Sequence, residues 1–137
     1  MPRVQISLPE EFIYSTTLPV RVTDVNYAGH LGNTSIPLML DEARARFFKH
    51  LGYMESDVEG TSSIMGDIAV EFRAEGFWGD EIKIEVTVGD FSDHSYEVYY
   101  RLTNTRTSKL LAKAKTRLVC FDYKSRQVCA VPEAFKQ

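Results

Sequence analysis

The sequence predicts an α+β protein in which one amphipathic helix lies across an antiparallel sheet. Three observations predict it. Apolar residues between positions 35 and 52 recur at spacings of three and four, the period of a helix. Nearly every other ordered-looking segment alternates apolar and polar residues with the period of a strand. Turn chemistry such as Gly79-Asp80 and Thr107-Ser108 separates those segments.

Residues 12–23 open the pattern. Tyr14, Thr16, Leu18, Val20 and Val22 face one way, and Ser15, Thr17 and Arg21 the other. Pro19 cannot donate to a strand ladder, so it marks an edge or a bulge. The helix follows, with Ile36, Leu40, Ala43, Phe47 and Leu51 as its stripe. Ser35 or Asn33 is placed to cap it, Pro37 suits its first turn and Gly52 its stop. Residues 54–60 form either one more helical turn or a loop.

The remainder reads as four strands in a meander and a short last one. Ile64, Ile68, Val70 and Phe72 share one register in the first, and Ile82, Ile84, Val86 and Val88 in the next. Tyr96, Val98, Tyr100 and Leu102 follow, then Ala112, Ala114, Thr116, Leu118 and Cys120 opposite Lys113, Lys115, Arg117 and Val119. Small alanines in that strand imply close approach of another element. Residues 122–127 turn the chain into VCAV, 128–131.

The chain of 137 residues fits one domain, 1–137, with 44% apolar and 26% charged residues. A net charge of −3 argues against a nucleic-acid partner, which asks for a basic face. No apolar run reaches the ~18 residues of a membrane span, and MPRVQISLPEEF has no apolar signal core. The expected location is cytoplasmic. Cys120 and Cys129 suit that compartment as packing thiols, and no metal-ligand cluster accompanies them.

The loop between first strand and helix, TDVNYAGHLGN, collects an acid, amides, one histidine and two glycines in eleven residues. Asp24-Val25-Asn26-Tyr27-Ala28-Gly29-His30-Leu31-Gly32-Asn33, followed by Leu40-Asp41-Glu42-Ala43-Arg44, resembles the hotdog-fold acyl-CoA thioesterases of the 4-hydroxybenzoyl-CoA thioesterase type. VEFRAEGFWGDEIKIEVTV and VCFDYKSRQVCAVPEAF are similar to that family's strand pair and ending. The similarity runs over roughly residues 12–135. It implies a five- to six-stranded antiparallel sheet wrapped around one long helix. It also implies a homodimer or homotetramer with its site at a subunit interface. The implied reaction is hydrolysis of an acyl-CoA to free acid and CoA, with CoA entering as part of the substrate and no cofactor held.

One position departs from the family pattern. The second acid of its D-x-D, the usual nucleophile or general base, is Asn26 here, and an amide does neither job at neutral pH. Candidate replacements are Asp24, reaching the site from the same strand face, Glu42 on the helix, or His30 as the base, with Asn26 orienting the thioester. The non-catalytic alternative is an acyl-CoA or acyl-carrier binding protein on the same fold.

The motif alignment puts the oxyanion donor at the N–H of about Asn33, at a helix start where N–H groups are unpaired. Gly29 and Gly32 allow close backbone approach, and Tyr27 and Asp67 join the substrate-binding set. Arg73 and Arg106 are weaker candidates for CoA phosphates, alongside the row Lys113, Lys115 and Arg117.

Each residue also has a plainer use: a turn cap for Asp24, a loop tie for His30, a helix cap for Asn33. For Asp67 that use is a bulge with Gly66, and for Glu42 a surface ion pair, although its place beside Ala43 favours burial.

Overall fold

A computed structural model describes residues 4–136 and gives a six-stranded antiparallel sheet around one long helix. Met1 to Arg3, the start of the sequence read for a signal core, and Gln137 lie outside the described residues. The strands are β1 (Tyr14–Pro19), β2 (Ser62–Phe72), β3 (Glu81–Gly89), β4 (Ser95–Asn104), β5 (Lys109–Asp122) and β6 (Gln127–Val128), and the helix α1 is Ser35–His50. This is the hotdog architecture that the sequence resembles.

Across the sheet the order is β1-β3-β4-β5-β2, with β6 pairing the end of β5. The expected four-strand meander is therefore reduced to β3-β4-β5, because β2 pairs β5 and not β3. The connection 73–80 explains the difference. It leaves β2 bonded to β5, where Leu111 O accepts from Arg73 N at 2.8 Å and Ala74 N at 3.1 Å. It ends beside β1, where Val20 N donates to Asp80 O at 2.8 Å. An eight-residue crossing of the sheet end does what a hairpin cannot.

Alternation set the faces as expected in β3, β4 and β5. Ile82, Ile84, Val86, Val98, Tyr100, Leu102, Ala112, Ala114 and Leu118 are buried in one core with Leu40, Ala43, Phe47 and Phe48 of α1. Removing this much apolar side chain from water is the main drive for the fold. Leu51, read as the end of the stripe, lies past the helix end and is exposed. The stop itself is as expected, with Gly52 at φ +91°.

Two strand readings need correction. The register of β2 shifts between Met65 and Asp67, so Ile64 opposes Val119 while Ile68, Val70 and Phe72 oppose Thr116, Ala114 and Ala112. A single extra residue, Gly66, moves Ile64 to the opposite face and puts Met65 on the inner one. At the end of β1 the chain does not stay extended. Val22–Asp24 form a turn of 3₁₀ helix, which leaves Val22 exposed. Residues 54–60 form a loop, and β6 is limited to two residues.

The core also holds a charge. Arg44 is buried and donates to Asp41 Oδ1 (2.7 Å), Glu55 Oε2 (2.9 Å) and Tyr100 Oη (3.1 Å), and Tyr100 meets Thr116 Oγ1 at 2.8 Å. Burial works against the guanidinium charge, but Tyr100, Glu55 and Asp41 more than restore it, so its pKa is raised. The opposite face of the sheet is crossed by the N-terminal segment, whose Ile6 N–H donates to Glu71 Oε1 at 3.0 Å.

Candidate active site

The loop 24–33 is a closed, internally bonded unit. Asn26 N donates to His30 O (2.9 Å), Gly29 N to Asn26 O (3.0 Å) and Gly32 N to Asp24 O (2.9 Å). The Asn26 side chain closes the turn by accepting from Ala28 N at 3.0 Å, a common use of an amide at such a position. Gly29 sits at φ +88°, which favours glycine, so its conformational freedom serves the turn. Tyr27 at the tip is fully exposed.

Asp24 is buried and held by Arg21. Its Oδ2 accepts from Arg21 N (2.8 Å) and Nε (3.2 Å), and its Oδ1 from Nη2 (3.3 Å). Burial pushes this carboxyl up, but the Arg21 hydrogen bonds and charge outweigh it and leave the pKa below the ordinary carboxylate range. Because the chain turns at 22–24, Asp24 and Asn26 do not share a strand face.

The residues singled out in the sequence divide between two clefts. One, of about 220 Å³, is lined by Arg21, Asp24, Glu42 and Arg46 with Leu18, Pro19, Leu38 and Met39. Glu42 there is exposed rather than buried, and pairs with Arg46 Nε at 2.8 Å. Its neighbour Ala43 is on the core stripe, but one residue of helix is 100° of rotation, enough to turn Glu42 outward.

The other cleft, of about 260 Å³, lies at the start of α1 and includes His30 and Asn33. Leu31, Ile36, Phe72 and Leu111 give it an apolar wall, and Arg73, Ala74, Glu75 and Gly76 close one side. His30 Nδ1 is 3.4 Å from Leu31 O. The loop 73–76 is clamped against the helix start by Leu31 N donating to Gly76 O at 2.7 Å. Neither Asn33 nor Ser35 caps α1. The cap position is Thr34, without a side-chain bond. Among the described residues, the N–H groups of Asn33 and Thr34 have no acceptor within the chain.

Of the remaining candidates, Arg73 borders the His30 cleft and the others line neither cleft. Asp67 belongs to the β2 bulge opposite Arg117. Gly32 packs its α-carbon near Asn26 and Asp24, with Asn26 Cβ 3.5 Å from where a side chain would begin. Arg106 is engaged by Asp80, at 2.7 and 3.2 Å. Arg73 reaches Glu71 at 2.7 Å, and also borders a wider hollow of about 490 Å³ beneath residues 4–7 together with Lys113. Among the described residues no group of three His, Cys, Asp or Glu is placed to hold a metal, and no helix is long and apolar enough to cross a membrane.

Sequence reasoning missed Glu75. Its segment, FRAEGFWGD, reads as a connection between two strands, and nothing in it indicates that the connection folds back on the histidine loop. The Leu31–Gly76 bond that brings them together is made by backbone groups, which every residue but proline carries.

A long helix wrapped by an antiparallel sheet defines a hotdog protein. The chain belongs to the thioesterase-like superfamily, whose sequence profile matches residues 20–137. A 1,4-dihydroxy-2-naphthoyl-CoA hydrolase from Microcystis aeruginosa is 33% identical over 67 residues, 49% of this chain and 47% of that protein. The chain thus matches about half the length of that curated relative.

The fold is shared with a 1,4-dihydroxy-2-naphthoyl-CoA thioesterase from Synechocystis (TM-score 0.80, 20% identity, covering 90% of this chain and 92% of that one). It is shared as well with a DHNA-CoA thioesterase from Staphylococcus aureus (TM-score 0.78, 19% identity, covering 89% and 83%).

Proposed function

We propose that this protein is an acyl-CoA thioesterase: acyl-S-CoA and water give a free acid and CoA. The observation that carries the reading is the cleft at the start of α1. His30 and Asn33, whose backbone N–H has no acceptor among the described residues, gather there beside an apolar wall of Leu31, Ile36, Phe72 and Leu111. Attack on a thioester carbonyl creates an oxyanion. The Asn33 N–H at the positive end of the helix is the kind of donor that stabilises it, worth about 3–4 kcal/mol in other hydrolases. The apolar wall receives the acyl group. The family membership and the named activities of the relatives support the same chemistry.

A homodimer belongs to this reading. β2 is an edge strand, and Ile64, Met65, Ile68 and Phe72 along it are each about 40% exposed. Such an edge invites pairing with a second copy, and Phe72 borders both edge and cleft, so a partner would complete the wall. CoA arrives with its acyl group and no resident cofactor is required. A cytoplasmic location suits the free thiols of Cys120 and Cys129.

The second reading, an acyl-CoA binder without turnover, is favoured by Asn26 at the usual acid position. Thiol release from short, long, branched and aromatic acyl-CoAs separates the two. Turnover of one class supports the enzyme, and acyl-CoA affinity with no release of thiol supports the binder.

A further inference from the structure

We infer that Glu75 supplies the general base that Asn26 cannot, an assignment that rests on the thioesterase reading above. The cleft at the start of α1 has one carboxylate in its lining, and it is Glu75. The acids that line the neighbouring clefts, and Asp80, are engaged. Asp24 is saturated by Arg21 and lies in the other cleft, as does Glu42, paired with Arg46. Glu71 takes the Ile6 N–H and Arg73, and Asp80 takes Arg106 and Asn104. Among the described residues the Glu75 carboxylate has no hydrogen-bond or ion-pair partner.

The backbone that carries Glu75 is fixed on both sides. Arg73 N and Ala74 N donate to Leu111 O, and Gly76 O accepts from Leu31 N, the residue between His30 and Gly32. Gly76 packs directly against Leu31 and Leu111. A side chain begun there would lie 3.4 Å from Leu31 Cδ2 and 3.5 Å from Leu111 Cδ1. The backbone that carries the carboxylate is fixed beside the histidine loop, and the exposed side chain leaves room for the water a base must activate.

In the reaction, Glu75 takes a proton from water as the water oxygen bonds to the thioester carbon. The carbonyl electron pair moves to oxygen, and the Asn33 N–H donates a hydrogen bond to the oxyanion. As the carbonyl re-forms, the carbon–sulfur bond breaks and the proton on Glu75 passes to the leaving thiolate. Carboxylate, acid product and CoA thiol account for every proton.

The test is steady-state hydrolysis of the best acyl-CoA found in the panel by wild type, Glu75→Gln and Glu75→Asp, with pH–rate profiles. Glu75 is exposed and unbonded, so both variants keep the fold, which circular dichroism checks. The expected result is a fall in kcat of about 100-fold or more in Glu75→Gln, with KM within about threefold, and partial recovery in Glu75→Asp. Hydrolysis by Glu75→Gln within about threefold of an active wild type overturns Glu75 as base and leaves the thioesterase reading standing. No turnover by wild type overturns both.

Discussion

Arg21 holds Asp24 from two directions at once, with its backbone N–H 2.8 Å from Oδ2 and its guanidinium 3.2 and 3.3 Å from the two carboxylate oxygens. The bonds close the 3₁₀ turn that leads into the histidine loop, and Asp24 O then receives Gly32 N from the loop's far end. Asp24 therefore sets where the loop begins and ends. Arg21 is well exposed, so its charge adds little, and the bond to the backbone matters more. Asp24→Ala is expected to cost about 1–2 kcal/mol in urea unfolding at pH 7. The folded pKa is depressed, so this stabilisation is complete above the unfolded value, about 3.9, and is lost as pH falls through the folded one. The gap between wild type and Asp24→Ala should close in that acid range and stay constant from pH 5 to 8. In Asp24→Asn, which lies outside the His30 cleft, kcat should fall less than about tenfold.

Asp80 gives a second, separable acid dependence. Its carboxyl is held down to about 2 by the Arg106 hydrogen bonds, against the effect of burial, with help from Asn104 and the Phe77 N–H. Stability from this group is whole above about pH 4 and disappears between there and about pH 2. Asp80→Ala leaves the buried Asn104 amide without its acceptor, a loss of about 1–3 kcal/mol. Thermal unfolding at pH 7 should show a lower midpoint for Asp80→Ala than for Arg106→Ala, because the exposed guanidinium contributes less.

Arg44 ties the helix to the sheet and to the loop that follows it. Removing a buried, fully bonded cation leaves Glu55 without its buried partner and Tyr100 with Thr116 alone. Arg44→Ala should destabilise the fold by about 3–5 kcal/mol. Arg44→Lys should recover little, since one ammonium cannot reach three acceptors placed around a planar fork. Chemical denaturation of wild type and both variants decides the point.

The dimer expectation is tested at β2. Wild type should sediment as a dimer or larger, and Ile68→Lys, which places a charge on the exposed edge strand, should shift the equilibrium towards monomer. Because Phe72 connects that edge to the cleft, the monomeric variant should also lose hydrolysis. A monomeric wild type with full activity would remove the interface from the mechanism.

Much of this molecule was legible in its residues. Alternation over most of Glu81–Gly89, Ser95–Asn104 and Lys109–Asp122 gave both strand and inner face, because a half-buried sheet leaves few other solutions. Tertiary effects hid the rest. Gly66 shifts the β2 register without disturbing its composition, so Ile64 looked equivalent to Ile68. The turn at Val22–Asp24 ends a pattern that continues in the letters, which misplaced Val22 and put Asp24 and Asn26 on one face. The motif around His30 singled out one loop, and the cleft beside it is shared with Glu75, a residue forty-five positions away joined through a backbone bond. Periodicity carries local faces, and it carries nothing about which loops meet.

Asn26 is where sequence and structure pull hardest against each other, and Asn26→Asp separates them. At the family's acid position, a restored carboxylate should raise hydrolysis if the side chain faces the thioester. In this chain the side chain is exposed and its Oδ1 accepts the Ala28 N–H, a bond that an aspartate oxygen makes equally well. The substitution therefore leaves the turn, the Gly29 geometry and the fold intact, and unfolding curves of the two proteins should superimpose. Position 26 does not line the cleft that holds His30, Asn33 and Glu75, so kcat is expected to stay within about twofold of wild type and the pH profile to keep its shape. A tenfold rise with a new acid limb would mean that the loop turns Asn26 inward when substrate binds, and Asn26→Asp combined with Glu75→Gln would then retain activity. Loss of activity in that double variant, with the single Asn26→Asp unchanged, fixes the base on the 73–76 loop.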